Sequence, residues 1–171
     1  MTAAGDRFSA RGSGDIHRLV ESYPLAWIVS GAGHTNRATL LPLRPHPSGT
    51  AIASFTGHFA RRTAQVALLR EQPEATLLFT GPQGYISPSW MKDRTQAPTW
   101  NYAGARFVAR IAFFDHEDEI QSHLEDLVHT MEARVGGNWS IVEMKERFAL
   151  LAKGIIGFRA EVLAEAAKFK L

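Results

Sequence analysis

Two short stretches carry residue types able to hold a flat, negatively charged ligand. The first is Phe55-Thr56-Gly57-His58-Phe59-Ala60-Arg61-Arg62-Thr63, whose pattern runs from a strand end into a helix start with Thr63 as candidate N-cap. Arg61 and Arg62 then stand beside the open N–H groups of a first helical turn. Guanidiniums match phosphate oxygens two bonds at a time, and the helix N-terminus adds partial positive charge. The plainer alternative is a solvated Arg pair. Cations are disfavoured at that end of a helix, which argues for an anion offsetting them.

The second stretch is Gly84-Tyr85-Ile86-Ser87-Pro88-Ser89-Trp90, followed by Ala97-Pro98-Thr99-Trp100-Asn101-Tyr102. Tyr85, Trp90, Trp100 and Tyr102 bracket one loop together with the hydroxyls of Ser87, Ser89 and Thr99 and the Asn101 amide. Flat rings with interspersed polar groups suit a planar heteroaromatic ligand. The same rings could instead serve as core or as contacts between subunits.

Other chemistry finds less support. His116, His123 and His129 are spaced seven and six apart, which misses the i, i+4 geometry of helical zinc pairs. Glu119–His123 and Glu125–His129 read as surface pairs. Gly31-Ala32-Gly33 lacks a third glycine at dinucleotide-binding spacing and lies between strands, and no Gly-x-Ser-x-Gly elbow occurs. Ser87 or Ser89 could act as nucleophile only with a histidine brought near in space. Arg106 and Arg110 share one strand face and read as solvated.

The elements that must position these residues follow from periodicity. A helix capped by Asp15 carries Ile16, Leu19, Val20 and Tyr23, and Pro24 stops it. Strands are expected over Leu25–Val29, Arg37–Arg44 and Thr50–Thr56, with turns at Gly31–His34 and Pro45–Gly49, giving an antiparallel meander. A short helix over Thr63–Arg70 precedes a buried strand at Ala75–Phe79 and an extended piece at Gly84–Ser87. Thr99–Phe113 alternates: Ala103, Ala105, Phe107, Ala109, Ile111 and Phe113 form one face, and Trp100, Tyr102, Arg106, Val108 and Arg110 the other. Asp115 opens a helix striped with Ile120, Leu124, Leu127, Val128 and Met131, ended by Gly136-Gly137. A further helix carries Ile141, Met144, Phe148 and Leu151. Gly154–Ala164 returns to period 2, and Phe169 and Leu171 could add a last short strand. The order predicts a mainly β, α+β fold: a small antiparallel barrel with peripheral helices.

The 171 residues suit one domain, 1–171, with 1–13 as a loose lead-in. The chain contains no cysteine, which excludes disulfides, thiolate catalysis and Cys-held metal. Neither a secretory pattern nor an apolar run of about 18 residues is present, so a soluble cytoplasmic protein without membrane contact is expected. The formal net charge of +2 gives no ground for nucleic-acid binding unless the cations cluster.

At these same residues the chain resembles the PaiB-type FMN-binding family, which is associated with negative transcriptional regulation. The resemblance runs from about Ile16 to Leu171. It rests on Tyr85-Ile86-Ser87-Pro88-Ser89-Trp90 with Pro98-Thr99-Trp100-Asn101-Tyr102, on Gly57-His58-Phe59-Ala60-Arg61, and on Gly154-Ile155-Ile156-Gly157-Phe158 with Lys168-Phe169-Lys170-Leu171. It implies the FMN-binding split β-barrel shared with pyridoxamine phosphate oxidases. Their Phe-Thr-Asn-Tyr-x-Ser-Arg-Lys stretch, which grips the flavin phosphate, is similar to Phe55–Arg62. The implied cofactor is FMN, contacted by Thr56, His58, Arg61, Arg62, Thr63, Ser87, Ser89, Trp90, Thr99, Trp100 and Asn101. The implied assembly is a homodimer with flavin at the subunit boundary. The chain departs from the family at Thr63-Ala64, where Asn-Pro is usual, and at Leu40, Met91 and Arg106. Those changes bear on flavin affinity and on any histidine-dependent role.

Three functions follow from this resemblance. One is FMN-dependent reductase or oxidase chemistry, with no catalytic acid or base identifiable. Another is a flavin-sensing or regulatory dimer without turnover; no DNA-recognition helix is evident, so direct nucleic-acid contact is not expected. The third is a split barrel without flavin, or one binding haem with His58 as axial ligand.

Overall fold

Residues 7–171 are described by the computed structural model. Leu25-Ala26-Trp27-Ile28-Val29-Ser30 alternates as a strand with one covered face must. Ala26, Ile28 and Ser30 are buried, while Leu25 and Trp27 are exposed. Seven strands of this kind form one antiparallel sheet. They are β1 (Leu25–Ser30), β2 (Arg37–Pro42), β3 (Arg44–Ser48), β4 (Ala51–Ala60), β5 (Glu74–Ile86), β6 (Thr99–Phe114) and β7 (Ile155–Lys170), in the order β2-β1-β5-β6-β7-β4-β3. Among the described residues four helices accompany them: α1 (Ser13–Ser22), α2 (Ala64–Glu71), α3 (Glu117–Val135) and α4 (Glu146–Ala152).

The sheet curls without closing. β2 and β3 hold its two opposite edges, yet only Leu43 separates them in sequence. One residue can join opposite edges only if the sheet bends until they meet. Leu43 is fully buried at that corner, and its N–H donates to the Pro24 carbonyl (2.9 Å). Among the described residues no ladder joins β2 to β3. The architecture is therefore the expected α+β split barrel.

The expected meander and the turn at Pro45–Gly49 are corrected. β1–β2 and β3–β4 are separate hairpins at opposite edges, and Arg44–Ser48 is a strand. Pro45 and Pro47 are tolerated because β3 is an edge strand with one side of its backbone unpaired. The turn itself falls at Gly49, where φ is 61°. Two other breaks disappear. Ala75–Phe79 and Gly84–Ile86 belong to one strand, β5, bulged between Thr80 and Gln83, and Ser87 lies just beyond it. At that bulge Gly81 has no room for a Cβ, because a Leu19 methyl of α1 would lie 2.3 Å from it. Likewise Ile155–Ala164 and Phe169 merge into β7, which pairs with β6 from Phe114↔Gly157 to Tyr102↔Lys170.

The inward faces meet in a phenylalanine core. Phe55 lies 5.2 Å from Phe79 and 4.8 Å from Phe107 between ring centroids, and Phe59 lies 4.9 Å from Phe158. α1 contributes Ile16, Leu19 and Val20 to it, and α2 contributes Val66 and Leu69. Asp15 stands inside α1 and not at its cap: its carboxylate accepts from the N–H groups of Arg11 and of the N-cap Gly12. Gln65 of α2 is buried where the barrel is split. Its amide donates to the Ile28 carbonyl (2.8 Å) and Ser30 Oγ (3.0 Å) and accepts from Thr39 Oγ1 (2.6 Å). It thus ties the helix to β1 and β2 where no ladder does.

α3 begins at Glu117 with His116 as its N-cap residue, so Asp115 lies outside the helix it was expected to open. Gly136 ends α3 in the left-handed conformation (φ 68°), as its position predicts. The helix expected across Ile141–Leu151 divides into a 3-10 turn, Ile141–Met144, and α4, with Lys145 at φ 51° between them. Of the lead-in, residues 1–6 lie outside the described residues. Phe8 is tied down, its carbonyl accepting from the Phe169 N–H (2.6 Å).

Candidate functional site

β4 runs on to Ala60 because Phe55 and Phe59 fill the core, with Thr56 and His58 projecting to the opposite face. Gly57 between them packs so closely that an added Cβ would sit 2.7 Å from Leu43 and Phe158 side-chain atoms. Arg61 follows directly. Its N–H donates to the Gly154 carbonyl (2.8 Å), and its guanidinium reaches the Asp115 carboxylate (3.1 Å) and the Lys153 carbonyl (3.3 Å). Arg62 is exposed and forms no ion pair among the described residues. Thr63 occupies the N-cap of α2, but its hydroxyl makes no capping bond. The N–H groups that open α2, apart from that of Val66, which donates to the Thr63 carbonyl (2.9 Å), share this corner with the Arg62 guanidinium and the Thr63 hydroxyl.

At the second constellation, Ser87 Oγ accepts from the Ser89 N–H (3.1 Å) and starts a 3-10 turn over Pro88–Trp90. Trp90 is 71% exposed and Trp100 54%, so these rings are not core. Tyr85 and Trp100 are cross-strand neighbours with ring centroids 6.2 Å apart. Thr99 Oγ1 accepts from Lys170 Nζ, and Asn101 pairs across the sheet with Gly84.

The two constellations lie toward opposite ends of β6. His58 lies beside Gly157, which pairs with Phe114 at the far end of β6, while Trp100 and Asn101 lie at its start. Along β6, Tyr102 and Phe114 are separated by about 40 Å at a strand's rise of about 3.3 Å per residue.

Residues 5–164 match the family described as "Putative FMN-binding domain". The chain belongs to this FMN-binding family. It is 30% identical over 166 residues to "Protease synthase and sporulation protein PAI 2" of Bacillus subtilis (strain 168), covering 96% of this chain and 78% of that protein. Its fold is similar to the flavocytochrome Anf3 from Azotobacter vinelandii, with TM-score 0.67, 11% identity, and coverage of 96% of this chain and 70% of that one. It is also similar to the "FAD and Heme binding protein" from Mycobacterium smegmatis, with TM-score 0.65, 13% identity, and coverage of 95% and 72%.

This FMN-binding-family chain also holds a polar cluster that the sequence did not reveal. His123 is not a surface residue paired with Glu119: it is 7% exposed, and its Nε2 lies 3.1 Å from His58 Nδ1. Beside it, His46 Nε2 contacts Thr56 Oγ1 (2.8 Å), Arg44 forks onto Asp126 (2.8 and 3.4 Å), and Arg159 donates to Ser54 (3.2 Å). A cleft of about 510 Å³ opens over His46, Thr56, His123 and Arg159. Burial, reinforced by the neighbouring His58, pushes His123 down to about 4. Burial also lowers His58, and burial with Arg159 lowers His46. The available signal was spacing, because Ile120, His123 and Leu127 fall at i, i+3 and i+7 and form one buried stripe.

Proposed function

We propose that this protein binds FMN as a homodimer, each flavin spanning a subunit boundary. The observation that carries the reading is the separation of the two constellations along β6, far more than one flavin mononucleotide can span. A phosphate at the Arg61–Arg62 corner and a ring at the Trp100 loop can belong to one ligand only if different protomers supply them. The donor sets suit those roles. Arg62, the Thr63 hydroxyl and the α2 N-terminus offer charge and N–H groups to a phosphate dianion. Tyr85, Trp90 and Trp100 offer solvent-facing rings, with Ser89 and Asn101 as polar edges. When bound, the isoalloxazine supplies electron transfer; the protein's part is to hold and orient it.

Self-association has a surface to use. Leu40, Trp27 and Leu78 are register neighbours across β2, β1 and β5, all are exposed, and Arg106 continues the row on β6. An apolar row of this kind on a sheet face favours a second apolar surface. Direct DNA reading is not favoured: α3 opens with Glu117, Asp118 and Glu119, and α4 spans only seven residues. A cytoplasmic location belongs to the same proposal; among the described residues no helix is long and apolar enough to cross a membrane.

Subunit complementation tests the composite site. Arg62→Ala removes a charge-assisted contact worth about 1.5–3 kcal/mol, which is roughly a 10- to 150-fold weakening of FMN binding. Trp100→Ala should weaken binding independently. A heterodimer of one Arg62→Ala protomer and one Trp100→Ala protomer regains one intact site, so half of the wild-type FMN capacity should return. A heterodimer in which both sites stay weak would refute a site shared between subunits.

A further inference from the structure

On the other side of the histidine pair from the polar cleft lies a separate pocket of about 220 Å³, walled by α3, the Ile141–Met144 turn, α4 and the start of β7. We propose that it binds a small, uncharged aromatic molecule bearing one hydrogen-bond acceptor, and that the His58 imidazole is its polar contact.

Size and lining set the ligand class. The volume lies below the roughly 300 Å³ at which drug-sized ligand pockets begin, leaving room for one or two rings and not for a flavin. Trp139, Met144, Phe148, Leu151 and Ile155 form its walls. Rings and a thioether suit a flat apolar face. Among the described residues no carboxylate, ammonium or guanidinium lines the pocket, so an ionised ligand would lose its hydration without gaining a partner. The N–H-bearing side chains present are the His58 imidazole and the Trp139 indole.

The His58 proton follows from its partner. His123 Nδ1 is buried with no hydrogen-bond partner among the described residues. A proton placed there would be a stranded donor, whereas a bare lone pair there is the better tolerated arrangement. The His123 proton therefore sits on Nε2 and is donated to His58 Nδ1 across the 3.1 Å contact. Neutral His58 then carries its own hydrogen on Nε2, on the ring edge not engaged by His123. Burial lowers both imidazoles, which keeps this arrangement at neutral pH. His58 is thus a donor of fixed tautomer bordering an apolar pocket. The inference does not rest on the flavin reading, since it uses neither the Arg61–Arg62 corner nor the aromatic loop.

Acetophenone and α-methylstyrene have one shape, and only the former carries an acceptor. Both should perturb the Met144 and Leu151 methyl NMR signals of the full-length protein. Acetophenone should bind about 2- to 10-fold more tightly, the worth of one neutral hydrogen bond. Its addition should shift the His58 ¹⁵Nε2 resonance, which should already be of the protonated type in the free protein. His58→Phe should equalise the two probes, and Met144→Trp should exclude both while FMN titration stays unchanged. An unprotonated Nε2 in the free wild-type protein, no methyl shifts at millimolar probe, or a preference for acetophenone that survives His58→Phe would each overturn the proposal.

Discussion

Acidification should destabilise this protein through His123 before Asp126 is neutralised. Burial and the neighbouring His58 and His46 hold His123 near 4, whereas an unfolded chain returns it to 6.5. Between those values the unfolded state binds more protons than the native state, so stability falls as pH falls. It is complete above about pH 6.5 and lost progressively down to about 4. At 1.36 kcal/mol per pKa unit the loss reaches about 3 kcal/mol. His58 and His46 are lowered in the same direction and add to it. Arg44 also faces the cluster and disfavours protonation; Asp126 favours it, but its carboxylate is itself engaged by Arg44. Asp126 is held below 3.8, so its own contribution disappears only beneath this window. Urea unfolding followed by tryptophan fluorescence should show the midpoint dropping by about 1–3 M between pH 7.5 and 4.5, for an m-value of about 1–3 kcal/mol per molar. His123→Leu should flatten most of that dependence. A midpoint that does not move with pH, or a variant that keeps the full slope, would refute the assignment.

Gln65→Leu should cost about 2 kcal/mol or more in chemical denaturation, because Thr39 and the Ile28 carbonyl lose buried partners; a neutral result would mean that water replaces the amide. Gly157→Ala should cost about 1–3 kcal/mol, since the new Cβ would lie 2.1 Å from the Phe114 ring; Phe114→Leu in the same chain should recover part of the loss, and additive losses would count against that contact as the cause. Asp115→Asn should tighten FMN binding severalfold in a fluorescence titration by releasing Arg61, with riboflavin unaffected; an equal gain for riboflavin would place Arg61 against the ring.

Much of the fold was legible because alternation is a local property. The inward face of β6 from Ala103 to Ile111 is the face predicted, and Gly136 ends α3 where expected. The failures were also local signals, overridden by position in the sheet. Pro45 and Pro47 looked like a turn because nothing in the sequence shows that their strand is an edge. The gap between Ala75–Phe79 and Gly84–Ser87 looked like a break because a bulge and a true break draw on the same residue types. His123 was misplaced for a different reason: reading i, i+4 charge pairs favoured Glu119 as its partner, although its spacing from Ile120 and Leu127 already placed it on the buried stripe.

The site divides in the same way. Each half was readable as a linear stretch, since the Arg61–Arg62 corner and the Trp100 loop are each continuous or nearly so. Their relation was not, because adjacency in a list of motifs carries no distance. β6 supplies that distance: it pairs with β7 from Tyr102 to Phe114, so the corner beside its last residues and the loop at its first residues lie toward opposite ends of one antiparallel ladder. A hinge cannot bring them together without breaking that ladder. If both halves serve one flavin, the second protomer is therefore required for binding as such, and FMN affinity should fall when the dimer dissociates. Trp27→Asp tests that link, because it places a charge in the exposed apolar row. Sedimentation should show a monomer, and FMN capacity should fall with it. A monomer that binds FMN with wild-type affinity would show that one half suffices.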